Sequence, residues 1–242
     1  MTAPLLYVCA RPEQVAAVAE WASFRDGLGV RDDELVHHDL VREPLPADLD
    51  RFGAVVVGGS PFNVTDPDKT DEQRRLERDL ERLAAAAIEG RTSALFTCFG
   101  IGVVTRLLGG EVTLDHAEGT GPADISLTDA GREDELFGIL HPRFEALTAH
   151  KEGTASVPPG ATLLAENVDC PVQAYRAGRA LWATQFHPEP TAEAFVERMT
   201  VYRDAGYFDA DAFDEVSAHV RTASVEQPTL LLRSFAARAV TA

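Results

Sequence analysis

Basic residues are scarce in this chain: 22 Lys and Arg stand against 39 Asp and Glu over 242 residues, a formal net charge of -17. A surface this acidic repels a phosphate backbone and excludes nonspecific binding of DNA or RNA, which needs a basic face. Long apolar runs are missing too. No stretch approaches the roughly 20 residues that span a bilayer, and the start, Met1-Thr2-Ala3-Pro4-Leu5-Leu6, lacks the basic opening of a signal peptide. Cysteine is rare. Cys9, Cys98 and Cys170 form an odd set with no framework spacing, so free thiols in a reducing cytoplasm are expected. His37, His38, His116, His141 and His219 show no metal-ligand spacing. The Asp209, Asp211, Asp214 cluster has Asp214 and Val220 where a calcium loop requires Gly and Glu, which leaves helix capping as its role. No Gly-rich loop ending in Lys-Ser/Thr is present to hold ATP, so neither metal nor cofactor is expected.

What is present is a globular profile, 45% apolar and 25% charged, in a chain long enough for one core. Strand-like runs alternate with helical ones: a strand over 5–10, a helix over 12–27, strands over 35–39 and 54–57, then an amphipathic helix over 71–88 with Leu76, Leu80, Leu83 and Ala87 on one stripe. A strand over 94–97 and a helix over 101–108 complete βα units of the kind that build a parallel sheet with helices on both sides. After Gly110 the pattern turns to short strands (111–114, 124–127, 163–166, 172–176, 181–185), an antiparallel extension that returns to the main sheet. Residues 191–203, 210–221 and 229–240 read as helices. The last carries Leu230, Leu231, Leu232, Phe235 and Val240 on one side and packs on the core or on a second copy of the chain, the latter making a homo-oligomer.

Two of these strand ends carry chemistry. The run from Ser93 delivers Cys98 to a strand-to-helix junction, where a sharp turn exposes the sulfur near the positive end of a helix dipole, a setting that favours thiolate. The run from Ala180 delivers His187-Pro188-Glu189, with Pro188 ending the strand. His187 is placed to take the thiol proton and Glu189 to fix its tautomer.

These segments resemble the nucleophile and His-x-Glu motifs of class I glutamine amidotransferases, in that family's order. Val57-Gly58-Gly59-Ser60-Pro61 resembles its Gly-Gly-Pro oxyanion loop. Ala149-His150-Lys151-Glu152, with Val157-Pro158-Pro159-Gly160 after it, resembles its Ser-His-Gly-Asp and Pro-x-Gly stretch, and Cys170-Pro171-Val172-Gln173-Ala174 is similar to the amidotransferase domain of GMP synthetases. The resemblance covers about residues 3–200 of a single domain over 1–242, with a C-terminal helical extension from about 201.

It implies a flavodoxin-like α/β fold, an open and mostly parallel sheet flanked by helices, with the site at the carboxyl ends of the strands. It implies a small-molecule amide substrate, glutamine or a γ-glutamyl compound, attacked by Cys98, with the backbone N–H groups of Gly59 and Phe99 holding the oxyanion, Gly58 beside them, His187 protonating the leaving amine, and His150 in the substrate pocket. The family phrase Gly-x-Cys-x-Gly-x-Gln is altered here to Phe96 two residues before Cys98 and Gly102 four after it, while Gly100 is kept. Because that Gln helps to hold glutamine in the family, weak turnover of free glutamine is expected, with a gain on Gly102→Gln. Three readings follow: a stand-alone hydrolase releasing ammonia from glutamine for a separate synthetase subunit; one that hydrolyses γ-glutamyl amides or peptides; and a noncatalytic descendant that binds or regulates. The complete set of Cys98, His187 and Glu189 argues against the third.

Overall fold

Strands that are apolar on both faces belong in the middle of a sheet covered by helices. In the computed structural model β1 (Leu5–Cys9), β3 (Val55–Val57), β4 (Ala94–Thr97) and β11 (Leu181–Thr184) are buried throughout their length. The structure describes residues 3–241; Met1, Thr2 and Ala242, with the side chains of Val240 and Thr241, lie outside the described residues. With β2 (Leu35–Asp39) these strands form the parallel part of a nine-stranded sheet. The antiparallel part comprises β6 (Glu118–Leu127), β7 (Arg143–His150), β9 (Ala161–Glu166) and β10 (Ala174–Ala177), in the overall order β2-β1-β3-β4-β11-β10-β9-β6-β7. A second sheet pairs β5 (Val112–Thr113) with β8 (Gly153–Thr154).

Alternation along each strand feeds two cores. Leu6 and Val8 join the core under α2 (Asp71–Ile88), which contributes Leu76, Leu80 and Leu83. Leu5 and Tyr7 face the other, built with α1 (Gln14–Leu28) and α7 (Glu226–Thr241) through Phe24, Leu231, Leu232 and Phe235. The last helix therefore lies on the body of its own chain, against α1. A third cluster joins α5 (Ala192–Val201) and α6 (Phe213–Val220) to β7 through Phe195, Met199, Leu147 and Val220. Thr70 and Thr191 cap α2 and α5, and Asp209 accepts the Asp211 N–H at 3.0 Å, the capping role expected for that acidic cluster.

Four elements depart from the expected pattern. β6 begins at Glu118 instead of 124, although Gly119, Gly121 and Pro122 resemble a turn; there it pairs only with β7, across an irregular register, and Pro122 needs no donor on its open side. β7, β8 and the short α4 (Asp129–Glu133) are additions to the expected elements. β7 alternates buried Phe144 and Ala146 with more exposed Arg143 and Glu145, but the His150 phrase at its end reads as a loop.

Candidate active site

β4 ends at Thr97, and α3 (Phe99–Leu107) begins two residues later. The whole reversal falls on Cys98, the one non-glycine residue with positive φ among the described residues (φ 50°, ψ -110°). Such a conformation costs on the order of 1–3 kcal/mol and persists only where the surroundings impose it. Here the Cys98 N–H is tied to the Thr184 carbonyl at 2.8 Å and Thr97 Oγ1 donates to the Val57 carbonyl at 2.8 Å, so the turn is bolted to β11 and β3. Gly100 allows the tight return, since a Cβ there would lie 3.1 Å from the Phe96 ring. The Phe99 N–H opens α3 and has no partner within the helix.

β11 runs parallel to β4 with Thr184 level with Thr97, so the residues after both strands emerge side by side. His187 is fixed by its N–H to the Leu147 carbonyl (2.9 Å), and its Nδ1 meets Glu189 Oε1 at 3.0 Å. The Cys98 and His187 side chains line one cavity, close enough to influence each other electrostatically. Burial disfavours the imidazolium, yet Glu189 and Cys98 outweigh it and push His187 up to about 9. Glu189 is held well below the usual carboxylate range: burial opposes this, and His187 and Arg198 overcome it.

Behind these residues lies a buried charge network. Arg198, on α5, donates from Nη1 to Glu189 Oε1 at 2.7 Å and stands 3.5 Å from Glu20 Oε1. Glu20, on α1 and wholly buried, accepts from Tyr7 Oη (2.7 Å), Arg11 Nε (2.8 Å) and the Gly59 N–H (3.2 Å). None of the three charged residues Arg11, Glu20 and Arg198 belongs to a motif singled out from the sequence. The signal is there for two: Glu20 sits with Ala16, Ala17, Ser23 and Phe24 on the buried stripe of α1, and Arg198 sits with Phe195 and Met199 on that of α5. A charge on an apolar stripe needs a partner.

Two cavities flank Cys98. One lies on the His187 side, with Arg11, Phe195, Tyr202 and Phe208 in its wall; the other is bounded by Phe99, Gly102, His150 and Glu152. Ser60, Cys98, Ala149 and Tyr207 line both. The 202–208 segment, part of the C-terminal extension, crosses over them. Tyr202 Oη bridges Arg11 and Glu13, Thr120 Oγ1 donates to the Tyr207 carbonyl, and Lys151 Nζ donates to the Ala205 carbonyl while sitting 4.8 Å from the Tyr207 ring.

Comparison with known proteins agrees with this architecture. The family model described as glutamine amidotransferase class-I matches residues 35–201. The chain belongs to the class-I glutamine amidotransferase family. It is 30% identical over 163 residues to one subunit of the glutamine-hydrolyzing GMP synthase of Ignicoccus hospitalis, covering 66% of this chain and 80% of that protein. To the GMP synthase of Flavobacterium psychrophilum it is 28% identical over 148 residues, 61% of this chain, and spans only 26% of that enzyme. A glutamine amidotransferase from Thermotoga maritima shares the fold over the full length of both chains, with a TM-score of 0.77 at 17% identity.

Set on this amidotransferase fold, three motif residues act differently from what their sequence suggests. Gly58 offers no free donor: its N–H bonds to the Val8 carbonyl (3.0 Å), and its missing side chain makes room for Glu20, whose Oε2 would lie 2.2 Å from a Cβ. Gly59 points its N–H at Glu20; its lack of a Cβ lets Arg11 and His187 approach, each 2.8 Å from where that atom would be. His150 borders the second cavity, but Nδ1 meets the Glu152 carbonyl at 2.9 Å and Nε2 meets Glu118 at 2.7 Å, so neither ring nitrogen is free for a substrate. The Phe99 N–H has no partner among the described residues.

The expectation for position 102 also changes. Glu152 reaches across to accept from the N–H groups of Val64 (2.8 Å) and Thr65 (2.9 Å), and a Cβ at Gly102 would lie 3.2 Å from Val64 and 3.4 Å from Glu152. The space a longer side chain needs is already filled. Gly102→Gln should therefore lower the thermal midpoint and leave glutamine turnover no higher; a gain in turnover with unchanged stability would show that the 62–66 loop yields freely.

Two clusters bring three ligand-type atoms within 4.8 Å of one another: Glu118, His150 and Cys170, and Glu20, His187 and Glu189. In the first, Glu118 already accepts from His150, Asn167 and Gln173, and burial pushes the Cys170 thiol up to about 12. In the second, Arg11 and Arg198 neutralise the carboxylates. The first has its carboxylate oxygens already hydrogen-bonded, and the second has its charge already balanced. No described helix is long and apolar enough to cross a membrane.

Folding raises the proton affinity of His187 from an ordinary 6.5 to about 9. The stabilisation it brings is thus fully present below about 6.5 and drains away as the pH climbs through 9. The thermal midpoint is expected to fall across that window, and less steeply in Cys98→Ala, which removes one source of the shift. Parallel profiles for the two proteins would mean that the thiol does not act on the imidazole.

Proposed function

We propose that the protein hydrolyses the side-chain carboxamide of glutamine through a thioester on Cys98, with His187 and Glu189 as the other members of a catalytic triad. The observation that carries this is the strained Cys98 turn, held level with a His187–Glu189 pair by adjacent parallel strands. The Cys98 proton passes to His187 and the sulfur attacks the amide carbon. The C–N bond breaks, its electron pair leaving on nitrogen, which takes a proton from His187 to depart as ammonia. Water then attacks the thioester carbon, giving up a proton to His187, and the C–S bond breaks to restore the thiol and free the acid.

The likeness to one subunit of a GMP synthase supports a partnership in which a separate synthetase subunit consumes the ammonia; we place this in the cytoplasm, with residues 1–242 acting as one domain. A second reading, hydrolysis of γ-glutamyl amides or peptides, is favoured by Gly102 and Glu152, which reshape the acyl side of the pocket. Incubating the purified protein with glutamine and with γ-glutamyl amides, following ammonia and free amine, tests both. Ammonia from glutamine supports the first, amine release without ammonia the second, and no turnover of either sinks both.

A further inference from the structure

The Gly59 N–H is spent on Glu20, so it is not among the free donors that could meet a developing oxyanion on a bound amide. The next residue supplies another. Ser60 is buried, 5% exposed, and lines both cavities beside Cys98, at the point where they meet. Its Oγ accepts the Phe62 N–H at 3.3 Å, which fixes the oxygen by one lone pair, while the hydroxyl hydrogen has no acceptor among the described residues. A buried hydroxyl with an unused hydrogen, beside the nucleophile and next to a glycine whose own N–H is taken, is a donor waiting for an acceptor that arrives with the substrate.

We infer that Ser60 is a catalytic residue whose hydroxyl, together with the Phe99 N–H, holds the oxyanion. When the Cys98 sulfur forms its bond to the carbonyl carbon, the π pair moves onto oxygen and Ser60 donates a hydrogen bond to it, keeping its proton. Collapse of the oxyanion returns the pair and expels the amine, protonated by His187. The residue acts again, in the same way, when water adds to the thioester. Glu20 is then the reason for the arrangement: it needs the Gly59 N–H to help balance a fully buried carboxylate, and Ser60 takes over the work.

This inference rests on the Cys98 acyl-transfer reading, and two assays separate their fates. Steady-state kinetics on glutamine and on γ-glutamyl-p-nitroanilide measure acyl transfer, which forms an oxyanion. Alkylation of Cys98 by iodoacetamide is displacement at a saturated carbon and forms none. Ser60→Ala is expected to lower kcat by on the order of a hundredfold, with KM little changed and the rate of Cys98 alkylation unchanged, while Ser60→Thr, which keeps the hydroxyl, retains most of kcat. Ser60→Ala with wild-type kcat overturns the donor and leaves the nucleophile standing. Equal losses in kcat and in alkylation also overturn it, because they mark a disturbed thiol. Wild-type protein that neither turns over either amide nor alkylates selectively at Cys98 overturns the acyl-transfer reading itself.

Discussion

Cys98→Ala is expected to abolish amide turnover while leaving the fold intact, and in the wild type a glutamine-like electrophile is expected to label Cys98 ahead of Cys9 and Cys170. All three thiols are free and buried, so gross exposure does not distinguish them. Their surroundings do. Burial and the nearby Glu20 push Cys9 up to about 11, and burial pushes Cys170 up to about 12, where the nucleophilic thiolate is vanishingly rare at neutral pH. Cys98 lines two cavities and shares one of them with His187, whose imidazole has a raised affinity for a proton. Peptide mass mapping after brief treatment reads the outcome. Equal labelling of the three positions would falsify the activated-thiol assignment, and full turnover by Cys98→Ala would move the chemistry elsewhere.

The second large effect is expected at Glu20, which does no chemistry. Glu20→Ala removes the carboxylate shared by Arg11 and Arg198 and leaves the Arg11 guanidinium, about 5% exposed, without its counter-charge in the core, while Arg198 keeps Glu189. Breaking one partner out of a buried ion network typically costs about 3–5 kcal/mol. Chemical denaturation should show a loss in that range, against less than about 1 kcal/mol for Asp33→Ala, which breaks an exposed pair with Arg31. A loss at Glu20 as small as that at Asp33 would mean that water reaches the network. Because Glu20 also takes the Gly59 N–H, the variant frees the glycine loop, so a stability measurement and a rate measurement on the same protein report different things.

The sequence displays some of this plainly. β2, α2 and β4 have the boundaries their patterns predict, because an amphipathic stripe or a short strand-like run between breakers is a local signal. Cys98, His187 and Glu189 are legible because each closes such a run. β7 and the start of β6 are not, since their strand character comes from pairing with each other across a glycine-rich stretch. Gly58, Gly59 and His150 fall in the expected neighbourhood with unexpected partners: what their polar atoms do is decided by Glu20 and Glu118, from distant parts of the chain. Position 102 defeats the sequence pattern for a similar reason, as its free space depends on Glu152, fifty residues on. Local patterns announce elements and strand ends; the occupancy of a donor or a void is a property of the assembled whole.

The register of Thr97 against Thr184 has a consequence for how the molecule comes together. The chain leaves β4, wanders through the antiparallel extension, and only then returns to lay β11 alongside, so the thiol and the imidazole meet through a contact of long sequence separation. Such contacts carry a high loop-closure cost and set the pace of folding. A refolding chain can thus recover much of its helix and its first βα units while Cys98 is still an ordinary thiol. The return of selective alkylation during refolding would time the docking of β11, which makes the nucleophile a clock for that topological step.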